Sequence, residues 1–119
     1  MEEKYIYLQK AIKNWPGATM RFRGDWDVHY FSVASKCFGL LGVHHDWGPQ
    51  LIVKNLPEHN EELREIYDFI VPGYHMNKTH WNSVILEKST LSDEELVKML
   101  RVSYDLIVSK LPKNQKKLL

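Results

Sequence analysis

Pro72-Gly73-Tyr74-His75-Met76-Asn77-Lys78-Thr79-His80-Trp81-Asn82-Ser83-Val84 is the stretch whose reading decides the fold. Two His, two Asn, a Lys, a Tyr and a Trp crowd behind a Pro-Gly turn and run into an apolar segment. Such a density of hydrogen-bonding groups is costly to bury unpaired. It marks either a binding surface or a polar network that holds the chain together. As a surface, His75, Asn77, Lys78 and His80 would offer donors to phosphates or base edges, with charge from Lys78 and an adenine edge for Asn77. As a network, Asn77 would shape the turn and Tyr74 and Trp81 would anchor the loop. His75 or His80 would then satisfy backbone carbonyls.

Outward from this segment, the pattern predicts helix, four short strands, helix, strand, helix. Tyr5, Leu8, Ile12 and Trp15 recur at helical spacing before the breaker pair Pro16-Gly17. Runs rich in β-branched and aromatic residues at 19–23, 28–34, 37–43 and 51–54 read as an antiparallel meander, with Ser35-Lys36 as a tight hairpin connection. Pro57 suits the first turn of a second helix, whose stripe would be Leu63, Ile66, Tyr67 and Ile70. A strand is expected over 80–87. Ser92 and Glu95 form a capping box for the third helix, stapled by Leu91 and Leu96. The order predicts an α+β domain of two layers, an antiparallel sheet with its helices on one face and the other face open. Residues 1–119 read as a single domain, with 113–119 a frayed basic tail.

Composition narrows the function classes. With 119 residues, 44% hydrophobic, this is ordinary globular composition, and a formal charge of +1 excludes a general polycation. Charge is nevertheless segregated. Residues 57–68 carry five acids and one Arg, whereas 110–119 carry four Lys and no acid. That tail would add counterion-release affinity for DNA or merely solubilise the terminus. Arg21 and Arg23 alternate with Met20 and Phe22, so both basic groups share one strand face, while Lys36 sits at a hairpin tip and Lys54 at the end of the fourth strand. A β-ribbon with a basic tip suits a groove or backbone contact, and Asp25 and Asp27 nearby suit a plain solvated face.

Catalytic and metal patterns are missing. His44-His45-Asp46 would need an irregular turn to chelate one ion, and no zinc-finger spacing accompanies it. Cys37, the sole cysteine, has an apolar setting that fits an inert buried thiol. Carboxylate pairs lie at expected helix N-termini, where the dipole accounts for them. The expectation is therefore no enzyme, no cofactor and no metal. A reducing, cytoplasmic setting without a membrane span, and a monomer, follow as defaults.

The 72–82 segment, read as Pro-Gly-Tyr-His-Met-Asn-Lys followed by His80-Trp81-Asn82, closely resembles the signature of the MmcQ/YjbR family of small bacterial proteins. Pro16-Gly17, Leu63-Arg64, Ser103-Tyr104 and Leu111-Pro112 extend the resemblance over nearly the whole chain. It implies a two-layer domain shaped like frataxin-like proteins and type III secretion chaperones. It also implies double-stranded DNA as partner, gripped by two projecting β wings. Carried onto this chain, one wing lies in 19–43 and the other near 73–82. The contact residues would be Arg21, Arg23, Lys36, His75, Asn77, Lys78 and His80. A module binding a protein or a small ligand on the open sheet face is the alternative.

Overall fold

The computed structural model describes residues 2–119. After a single 3-10 turn at Glu3–Tyr5, the elements are α1 (Ile6–Ile12), β1 (Ala18–Arg23), β2 (Val28–Val33), β3 (Lys36–His44), β4 (Gly48–Lys54), α2 (Pro57–Ile66), β5 (Ile70–Pro72), β6 (Trp81–Ile85), α3 (Asp93–Ser109) and α4 (Lys113–Lys116). The strands form one antiparallel sheet in the order β1-β2-β3-β4-β6-β5. The expected α+β architecture is present, with α3 packed across β3 and β4 and α1 against β1 and α3.

Local chemistry accounts for most of these elements. Ser92 caps α3 by accepting from the Glu95 N–H at 3.1 Å, and three acids follow in the first turn, where the helix dipole favours them. Ala34 and Ser35 both have positive φ (49° and 64°), the geometry a two-residue hairpin needs to match strand twist. The hairpin loop is therefore Ala34-Ser35, one residue earlier than the sequence suggests. Phe31, Val33, Phe38, Leu41, Leu51, Val53 and Val84 meet Leu8, Ile12, Leu96, Leu100 and Tyr104 in the core. Phe38 sits at a register shift in β2–β3, and its ring packs edge-on to Tyr104 at 5.3 Å.

That bulge is repaired from α3. The buried Ser103 hydroxyl donates to the Phe38 carbonyl at 2.5 Å and accepts the Lys54 N–H at 2.9 Å, joining helix to two strands. Ser103→Ala would leave both backbone groups without a partner at a cost of about 2–3 kcal/mol, and we expect a drop of roughly 10 °C in Tm by calorimetry.

Three expectations need correction. The second helix ends at Ile66 because Tyr67 is extended (φ −119°, ψ 120°), so Ile70 belongs to a short edge strand, β5, and Ile66 is exposed. Residues 113–119 are not frayed: Lys113–Lys116 forms α4, and Leu119 packs onto the core beside Gly17 and Val33. The sheet face opposite the helices is open only in part. Over β4 and β6 it is roofed by Tyr74, whose N–H donates to Ser83 Oγ at 3.0 Å, and by the stacked His44 and Trp47 rings. Ile52 and Ser83, paired across β4 and β6, are accordingly buried. Over β1 and β2 the face stays accessible at Arg21.

Candidate functional site

The 72–84 segment is mostly consumed by the fold. Asn77 Oδ1 accepts the N–H groups of Thr79 (2.9 Å) and His80 (3.2 Å), closing an Asx-type turn. Lys78 Nζ donates to the Gly73 carbonyl at 3.0 Å, and the Lys78 carbonyl accepts from Arg64. Asn82 is buried and central. Its Nδ2 donates to the Asn60 carbonyl at 3.2 Å and its Oδ1 accepts from Arg64 Nη1 at 2.8 Å. Asn60 Nδ2 donates in turn to the carbonyls of Asn55 and Thr79. The network ties α2 to the loop before β6. His75 stands at φ 61°, exposed and packed on Tyr74 (4.0 Å between rings), and neither His75 nor His80 has a side-chain hydrogen bond among the described residues.

The other nominated residues lie across the sheet. β1 and β5 are its two edges, so Arg21 and Arg23 are separated from the β5–β6 loop by five strand spacings, about 24 Å. Arg23 is held locally by Asp25 (2.8 Å) and by the Tyr30 hydroxyl (3.3 Å), and it lies over the Trp26 ring at 3.8 Å. Its guanidinium holds the Asp25 carboxyl below the usual carboxylate range. Arg21 and Lys36 are exposed and make no ion pair among the described residues. The seven residues therefore do not form one patch.

A basic patch does form elsewhere. Lys36 begins β3 and Lys54 ends β4, the antiparallel neighbour, so both lie at the same end of the sheet. Lys110 caps α3 at that end, and α4 carries Lys113, Lys116 and the adjoining Lys117 on the docked tail. Burial lowers the Lys54 pKa, and the nearby Lys110 charge lowers it further. None of these six lysines makes an ion pair or a side-chain hydrogen bond among the described residues. Composition marks the lysines at 110–117. Their junction with Lys36 and Lys54 depends on the tail folding back, and the only sequence cue for that is the apolar pair Leu118-Leu119 after the lysines.

Two further groups can be assigned. His44, His45 and Asp46 do share a turn, with ligand atoms within 4.8 Å of one another. His44 Nδ1, however, accepts the Asp46 N–H at 3.0 Å, so a neutral ring carries its proton on Nε2 and has no free lone pair. The set is built as a turn, and a cation would have to break it. Burial pushes the Cys37 thiol above its ordinary pKa, which leaves it a poor nucleophile.

The fold is shared with known proteins. The YjbR family model matches residues 13–106, most of the chain. The protein belongs to the YjbR family. It is 32% identical over 104 residues to the uncharacterized protein YjbR of Escherichia coli K12, covering 87% of this chain and 86% of that one. It is 39% identical over 110 residues to the uncharacterized protein YyaQ of Bacillus subtilis 168, covering 89% and 90% respectively. Among solved structures, the Deinococcus radiodurans protein DR2400, a DUF419 domain, superposes with a TM-score of 0.79 at 34% identity. That match covers 92% of this chain and 83% of the other. A Pseudomonas syringae protein gives a TM-score of 0.69 at 26% identity, over 89% and 98%. No helix of this YjbR-family chain, among the described residues, is long and apolar enough to cross a membrane.

Proposed function

We propose that this YjbR-family protein is a non-enzymatic DNA-binding module that grips the phosphate backbone with the lysine end of its sheet. The observation that carries the reading is the convergence of Lys36, Lys54, Lys110, Lys113, Lys116 and Lys117 with no acid paired to any of them among the described residues. Like charges held together on rigid elements repel one another, and a polyanion relieves that repulsion while releasing its own counterions. Docking of Leu119 holds the tail lysines against the sheet, so less ordering entropy is lost on binding. Arg21, exposed on the sheet face away from α3 and α4, lies outside this patch. The four acids of α2 lie beyond Lys54, towards the β5 edge, and would orient the duplex away from that side. The absence of base-reading geometry in this patch points to backbone contact with little sequence preference.

Fluorescence anisotropy with labelled duplex DNA tests this directly. If about four phosphates are neutralised, the slope of log K against log salt is about −3.6. Affinity then falls roughly a hundredfold between about 50 and 200 mM salt. Absence of binding at low salt, or a flat salt response, would reject the proposal.

A further inference from the structure

The two edges of the sheet are finished differently. β5 is only three residues long, ends at Pro72 and packs against α2, and each of these features stops a further strand from adding there. β1 has none of these guards. It runs for six residues in unbroken register with β2, contains no proline, and has no strand beyond it among the described residues. In an antiparallel edge strand alternate residues turn both N–H and C=O outward. Residues 19–23 therefore present a ladder of backbone groups that no strand of the described fold uses.

The side chains of β1 define the chemistry of its partner. On the helix side, Met20 is half-buried and Phe22 keeps 54% of its surface exposed. On the other side, Thr19 and Arg21 are exposed. Arg23 is spent on Asp25, whereas Arg21 makes no ion pair among the described residues. An added strand would thus meet apolar groups on one side and an unpaired cation on the other. A second copy of the chain fits badly. Pairing β1 with β1 about a two-fold axis sets Arg21 either directly opposite or diagonal to its own counterpart, where like charges are destabilising. An acid opposite Arg21 turns the same charge into an attraction, so the edge rejects itself and accepts a complementary strand. We propose that β1 is a docking edge for an extended protein segment of alternating apolar and acidic residues, which adds to the sheet with an acid opposite Arg21 and apolar side chains beside Met20 and Phe22.

Residue-resolved hydrogen exchange on the intact protein tests the proposal, with a short blocked peptide of alternating valine and glutamate as the probe. At saturation, exchange of the outward N–H groups among residues 19–23 should slow by about tenfold or more. The corresponding valine–lysine peptide should leave β1 unchanged. A peptide of the same valine–glutamate composition, but with the two residue types in separate blocks, controls for general attraction to the lysine end and should not protect β1. Arg21 is exposed, so Arg21→Glu should retain the fold and reverse the preference. The valine–glutamate peptide should weaken by about tenfold and the valine–lysine peptide should now protect β1. Protection confined to the lysine end, equal protection by the block peptide, an unchanged preference in Arg21→Glu, self-association through β1 without peptide, or no protection at all would overturn the assignment.

Discussion

Replacing Gly73 by Ala should unfold the protein at much lower temperature than any surface change. A methyl group on Gly73 would lie 2.7 Å from Trp81 Cβ, 3.0 Å from the Trp81 carbonyl oxygen and 3.1 Å from its carbonyl carbon. Two of those atoms are backbone, so no rotamer change relieves the clash. The same two residues are joined by the Gly73 N–H donating to the Trp81 carbonyl at 2.8 Å, which closes the β5–β6 loop. Moving them apart breaks that bond and disturbs the Lys78 contact to the Gly73 carbonyl. A cost of about 3 kcal/mol or more is expected, as for overpacking at a site that cannot yield. Calorimetry should show Tm lowered by roughly 12 °C or more. A loss of less than a few degrees would mean that the loop is free to move away from β6.

Asn82→Ala should be nearly as damaging, for the opposite reason. It deletes both bonds through which β6 holds α2, leaving the Asn60 carbonyl and the Arg64 guanidinium without their partner. Asn60 and Asn82 are each only 1% exposed, so water does not readily replace what is lost. About 2–4 kcal/mol is expected from denaturant unfolding. Because Asn82 Oδ1 accepts directly from the Arg64 side chain, a cycle with Arg64→Ala should show coupling of about 1 kcal/mol or more. Strict additivity would contradict a shared network.

These two predictions explain what the sequence could reveal. The signature segment announces itself through residue types whose hydrogen bonds are local, such as Asn77 to Thr79 and His80. The partner of Asn82 lies 22 positions away in α2, and no spacing rule connects them. Helix α3 was fully legible because cap, staple and apolar stripe all lie within it. Strand β5 was hidden, since Tyr67 and Ile70 continue the period of α2 and only the extended backbone at Tyr67 breaks it. The tail was misread for a related reason. Lysine-rich composition suggests a solvated end, and the docking of Leu119 on Gly17 and Val33 is a tertiary event. Of the nominated contact residues, Arg21 and Lys36 make no ion pair or side-chain hydrogen bond among the described residues, whereas Arg23, Asn77 and Lys78 serve local structure. The turn at His44 shows the converse, because adjacent residues at the end of a strand can converge once the backbone leaves the sheet.

One comparison distinguishes the proposed phosphate-binding lysine end from the fold-holding signature segment. Duplex DNA affinity would be measured across a salt series for wild type, for Lys113→Gln/Lys116→Gln/Lys117→Gln and for Lys78→Gln. The triple variant should lose at least tenfold at low salt and show a slope shallower by about 2–3, because each lost phosphate contact removes close to one unit. Lys78→Gln should lower Tm while leaving affinity within about twofold of wild type, since its ammonium is spent on the Gly73 carbonyl. Wild-type affinity and slope in the triple variant, or a large loss in Lys78→Gln, would contradict the account.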